Sequence, residues 1–311
     1  MQTDPILHRL RAALAAAVAV VALAAPATAP AAAGSKAKQD DRQYYVSLGD
    51  SYSTGYQPAP GGGLGSSTKD GYAYVLPKLA KKRGYELKLV NFGCGGETTT
   101  SILERTTACL GPALGGPDYA GTTQAAAAAS FIKKHRHDVG LITVSIGGND
   151  VTACAAASDP FGCVSDAVQR IKTNLVTLAQ RLRAAAGSKV KIVGLTYPDV
   201  ILGLWVSGNQ DDRNLAAASV VAFRDLINPA LKESYESVKG VFVDVTAATG
   251  AYIPLDQTTV LPPYGELPVA VATICTIGYY CELRDIHLKP EGYGEMAALI
   301  AETLPKKKKK Q

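Results

Sequence analysis

Five short apolar runs punctuate the chain, each long enough for a strand: Tyr44–Leu48, Leu87–Phe92, Val139–Ile146, Val190–Leu195 and Gly240–Val245. The third is almost continuously apolar, the pattern of a strand buried on both faces. Between them the period changes. Val164, Val168, Ile171, Leu175, Leu178 and Leu182 recur at steps of four and three, which predicts one helix with a single apolar stripe. Ser165 is its expected start and Gly187 its expected end. Asn214–Val238 predicts a second long helix with a kink at Pro229, and a last helix begins near Pro290. Strands alternating with helices imply a parallel sheet covered on both faces, an α/β domain. No internal repeat is visible.

The two ends break this pattern. Arg9 and Arg11 precede the uncharged run Ala12–Ala25, followed by Pro/Ala-rich sequence to Ala33. A basic start, a short apolar stretch and small residues predict a secretory signal over 1–33. The run has 14 residues, short of the ~20 that span a bilayer as a helix. Residues 34–41 read as a polar linker, 42–305 as the domain, and 306–311 as a lysine-rich tail.

Charge follows this division. The 311 residues carry 32 basic and 27 acidic side chains, a net charge of +5. Residues 1–33 hold two basic residues and one acidic, and Lys306–Lys310 hold five lysines. What remains has 25 basic and 26 acidic residues, so the body is near neutral and nucleic acid is not an expected partner. The tail reads as a solvated end; a second reading is weak contact with anionic surfaces. With 47 % hydrophobic residues the chain is not of the disordered class.

Cys94, Cys109, Cys154, Cys163, Cys275 and Cys281 form an even set beyond the predicted signal. Fifteen pairings are open in principle; the simplest is local, 94–109, 154–163 and 275–281. Export to an oxidising compartment agrees with disulfides. No C-x-x-C and no histidine at ligand spacing occurs, so no metal site is expected.

Ligands in such sheets sit beyond the carboxyl ends of the strands, and four unusual segments fall there. They are Gly49-Asp50-Ser51-Tyr52-Ser53, Gly93-Cys94-Gly95-Gly96-Glu97-Thr98, Gly147-Gly148-Asn149-Asp150, and Asp285-Ile286-His287 ahead of the last helix. Together, in this order, they resemble the blocks of the SGNH hydrolase superfamily, the GDSL esterases and lipases. The resemblance runs from about Tyr44 to Leu304, and the cysteines look like those of its secreted actinobacterial lipase branch. It implies a flavodoxin-like three-layer sandwich with a five-stranded parallel sheet, and hydrolysis of carboxylic esters without a cofactor. It implies Ser51 as nucleophile and first oxyanion donor, Gly96 as second donor with Gly95 as fallback, Asn149 as third, and His287 as general base.

One position departs from the pattern. The family places its acid three residues before the histidine, where this chain has Arg284; the nearest acid is Asp285, two before. Asp285 reaching the ring and a backbone carbonyl orienting it in a Ser-His dyad are both open. Asp50 and Asp150 read as residues that shape the turns, and His135 and His137 as part of a solvated helix end. Val200–Val206 and Tyr252–Ile274 are the expected apolar loops around an acyl group. An acyl ester or lipid is the expected substrate and a monomer the expected state. A phospholipase, a polysaccharide O-deacetylase and a non-catalytic surface-binding protein of the same fold stand as alternatives.

Overall fold

The computed structural model describes residues 43–105 and 117–307. The expected signal, the linker and the end of the lysine tail lie outside the described residues, as does Cys109. Five parallel strands, β1 (Gln43–Gly49), β2 (Leu87–Asn91), β3 (Val139–Ser145), β4 (Lys191–Leu195) and β5 (Val241–Val243), form one sheet in the order β2-β1-β3-β4-β5. Each strand begins within three residues of its predicted start. β3 is buried at all but one position, in keeping with its almost continuously apolar run.

From β1 the chain crosses to β2 on one side, then returns past β1 to β3 and on to β5. Right-handed crossovers in opposite directions put helices on opposite faces. Tyr72–Lys81 packs with Pro290–Glu302, while Gln124–Lys134, Pro160–Ala186 and Asn228–Glu236 pack side by side. The result is a three-layer α/β sandwich. The direction changes between β1 and β3, and their carboxyl ends form the crevice where such sheets bind ligands.

Several elements differ from expectation. The long helix starts a turn earlier than its stripe, at Pro160, because the Asp159 side chain accepts from the Gly162 amide at 3.0 Å; Ser165 sits inside it. Gly187, at φ 81°, does end it. The second predicted helix is three pieces: Gln210–Ala222, a π turn over Phe223–Ile227, and Asn228–Glu236. Pro229 has no N–H to offer the carbonyl of Asp225 and its ring crowds that carbonyl, so the backbone widens just before it. Val200–Ser207 is a 3-10 helix rather than a loop. Tyr252–Ile274 is not structureless either: Thr258–Leu261 and Gly265–Pro268 make a hairpin, and the apolar run after it is the helix Val269–Ile277.

Cys154–Cys163 and Cys275–Cys281 are disulfides, with Cα separations of 5.5 and 5.2 Å. His135 is not purely solvated, since its ring lies against Tyr44 and Phe131; His137 is exposed. Lys307 turns back onto the body, donating its amide to the Arg83 carbonyl at 2.9 Å with its ammonium 4.2 Å from the Tyr85 ring centre. Among the described residues no helix is long and apolar enough to cross a membrane.

Candidate active site

The turn after β1 is fixed by backbone contact with β3. Gly49 has φ 141°, and a Cβ there would lie 2.0 Å from the carbonyl oxygen of Ser145, so only glycine fits. Gln124 holds both peptides of Gly49, accepting from Gly49 N at 2.7 Å and donating to Gly49 O at 3.0 Å. Asp50 then caps a single helical turn, Ser51–Thr54, by accepting from the Tyr52 amide at 2.9 Å. Ser51 opens that turn, 7 % exposed, at the crevice between β1 and β3.

His287 comes from the segment before the last helix. That segment is tied at both ends: the Tyr279 amide donates to His287 O at 3.0 Å, and the Lys289 amide to Ile277 O at 2.9 Å. The Cys275–Cys281 bridge closes the stretch it pairs with. Tyr52 donates its hydroxyl to the carbonyl of Ile286, linking the serine turn to the histidine segment, and the Tyr56 ring lies 4.4 Å from the imidazole. The ring reaches Ser51: His287 Nε2 is 2.7 Å from Ser51 Oγ.

On its other side, His287 Nδ1 is 2.7 Å from Asp285 Oδ1. The same oxygen accepts from the His287 backbone amide at 2.9 Å, so an Asx turn folds the carboxylate back under the ring. This is how an acid two residues away makes the contact. A proton on Nδ1 satisfies both ring contacts, leaving Nε2 to accept from serine. Burial alone would raise the Asp285 carboxyl, but the hydrogen bond and charge of His287 outweigh it and hold the carboxyl below the ordinary range. The stability it contributes is present above about pH 4 and is lost as pH falls through the lowered value.

Asn149 follows β3 and lines the same cavity as Ser51. Its side-chain Nδ2 donates to Glu97 O at 2.7 Å. One of its two amide hydrogens is thus used for anchoring. Gly96, one peptide earlier, has φ 77°; it is exposed and is not among the cavity-lining residues. The second and third blocks are stitched together, since Asp150 takes the Thr99 amide at 2.8 Å and its hydroxyl at 2.6 Å. Burial raises the Asp150 carboxyl, against those bonds and the charge of Arg170.

Asp50 is buried, and that burial pushes its carboxyl up to about 7; the hydrogen bonds from Tyr197 and the Tyr52 amide pull it down, and the charge of Asp150 adds to the rise. Its ionisation therefore weighs against the fold as pH rises from about 4 to 7. The Tyr197 hydroxyl donates to Asp50 Oδ2 at 2.6 Å, and its ring stands edge-on to Tyr52. Tyr197 was not among the expected site residues, although its place at the carboxyl end of β4 is a signal that points to it.

A cavity of about 130 Å³ opens beside Ser51. Val200 and Ile201 contribute to it as expected, but none of Tyr252–Ile274 does; that stretch forms the hairpin and helix described above. Its apolar walls come from the Pro160–Ala186 helix and from the Gln210–Glu236 segment.

The serine turn, the histidine segment and Asn149 thus meet at the switch point of a parallel α/β sandwich. Residues 47–294 match the model of the GDSL-like Lipase/Acylhydrolase family, and the chain belongs to that family of hydrolases. Among solved structures it is similar to a lipase from a goat rumen metagenome, with 15 % identity, TM-score 0.49, and coverage of 84 % of this chain and 96 % of that one. It is also similar to an extracellular lipase from Streptomyces rimosus (16 %, TM-score 0.45, 84 % and 98 %) and to a carbohydrate acetylesterase from Sinorhizobium meliloti (13 %, 0.43, 84 % and 97 %). No curated protein matches the chain.

Proposed function

We propose that the chain is an exported carboxylic ester hydrolase that works through an acyl-enzyme on Ser51. The observation that carries this reading is the continuous contact Ser51 Oγ–His287 Nε2, 2.7 Å, and His287 Nδ1–Asp285 Oδ1, 2.7 Å. A serine hydroxyl is a weak nucleophile until a base takes its proton. His287 takes it as Oγ attacks the ester carbonyl, and Asp285 stabilises the imidazolium that forms. The tetrahedral oxyanion is met by the amides of Ser51 and Gly96 and by the Asn149 side chain. The imidazolium then returns its proton to the leaving alcohol, and water repeats the sequence to release the acid.

An apolar cavity next to the nucleophile favours an acyl chain over a bare acetyl group, and so a lipase or esterase over a polysaccharide O-deacetylase. The signal-like start and the disulfides Cys154–Cys163 and Cys275–Cys281 support export and the secreted branch of the family.

Hydrolysis of nitrophenyl esters, together with mass analysis after treatment with an alkyl phosphonate ester, tests the reading. Turnover and a phosphonyl adduct on the Ser51 peptide are expected. No hydrolysis at any acyl length favours the non-catalytic surface-binding protein. The Asn149→Ala variant is expected to lose 10²–10³ in kcat, roughly the worth of one oxyanion donor, with KM little changed. An unchanged kcat removes Asn149 from the oxyanion site.

A further inference from the structure

We infer that the cavity beside Ser51 is an acyl site matched to about six carbons, and that Ala218 and Phe223 set its length. The inference rests on the ester-hydrolase reading of Ser51. The cavity has a wet end and a dry end. Ser51 and Asn149 line it where the ester carbonyl would sit, and Phe161, 57 % exposed, marks its mouth. Ile171 and Leu231, each 1 % exposed, line it in the interior, where the Pro160–Ala186 and Asn228–Glu236 helices pack together. A chain entering from the serine meets these packed side chains on the interior side.

Size then sets length. At about 130 Å³ the cavity is slightly smaller than an engineered one of about 150 Å³, lined by Leu, Ile and Phe, that stays dry and holds benzene. Six carbons fit such a space. A longer acyl chain must leave past Phe161 into water, where further methylenes gain little.

The π turn shapes the inner wall. Phe223 and Ile227, four residues apart, are both buried and line the cavity, while Arg224, Asp225 and Leu226 between them are exposed. One turn earlier, Ala218 presents only a methyl group to the same space. A leucine there adds three carbons, about half the content of the site. Removing the Phe223 ring opens a comparable volume.

The test is kcat/KM for nitrophenyl esters from acetate to dodecanoate. The wild type is expected to gain about fourfold per methylene up to hexanoate, the worth of burying one CH₂, and to level off beyond it. Ala218→Leu moves the break down to about butyrate, and Phe223→Ala moves it to octanoate or longer. A profile that falls from acetate, one that keeps rising past decanoate, or a break unmoved in both variants overturns the inference. The two variants change volume in opposite directions, so a fold too weakened by one leaves the other to decide. Calorimetric binding of 1-hexanol separates the two claims. If no ester is hydrolysed, the reading of Ser51 fails, yet hexanol binding at least tenfold weaker in Ala218→Leu still supports the cavity assignment; equal binding removes it.

Discussion

Ser51→Ala is expected to lower kcat for ester hydrolysis by about 10⁶, to a residual rate that depends on binding and the oxyanion donors alone. The size follows from the arrangement. Among the described residues, Ser51 Oγ is the oxygen hydrogen-bonded to His287 Nε2, at 2.7 Å, and alanine leaves the base with nothing there to activate except water. Little else changes, because Ser51 is held by its backbone in a turn built by Gly49, Asp50 and Gln124. Substrate binding and thermal stability should stay close to wild type. His287→Ala should cost about as much, and the double variant hardly more, because the two residues act as a unit. Hydrolysis that persists in Ser51→Ala at more than a hundredth of the wild-type rate would refute the acyl-enzyme mechanism.

Asp285→Asn is expected to cost 10³–10⁴ in kcat near neutral pH. The amide oxygen of asparagine can still accept the His287 backbone amide, so the Asx turn survives and the ring stays in place. What is lost is the negative charge facing Nδ1, and with it the stabilisation of imidazolium in the transition state. Asp285→Ala removes the turn as well and should add a loss of thermal stability that the asparagine variant does not show. A rate for Asp285→Asn within a few-fold of wild type would assign the orientation of the ring to the backbone and leave a Ser-His dyad.

Much of the sheet could be read from the chain because each strand is a short apolar run between turn residues, and in β3 only Thr143 and Ser145 interrupt the apolar pattern with polar side chains. The helices were harder. Pro160–Ala186 begins before its apolar stripe because its first turn, with Phe161 at 57 % exposure, faces outward. The break at Phe223 follows from Pro229, which predicts a disturbance but not that it takes the form of a π turn. The candidate site residues stood out because a serine, a histidine and an asparagine each followed a strand or preceded the last helix. The cavity walls did not: Ala218, Phe223 and Ile227 look like any buried helix face, and only tertiary packing separates a face that meets another helix from one that meets empty space. The role of Asp285 was open for a different reason. Spacing puts it two residues away, and only the side chain folding back on its own backbone shows that two is enough.

The π turn has a consequence for how such a protein changes over time. A π turn holds one residue more than the α turn it replaces. Here it lies in the Gln210–Glu236 segment, which supplies a wall of the cavity and none of Ser51, Asn149, Asp285 or His287. Gaining or losing a single residue there re-aims the wall while the strand ends that carry the chemistry stay where they are. The appetite of the enzyme and its reaction are written in separate stretches of chain, so one can drift without putting the other at risk.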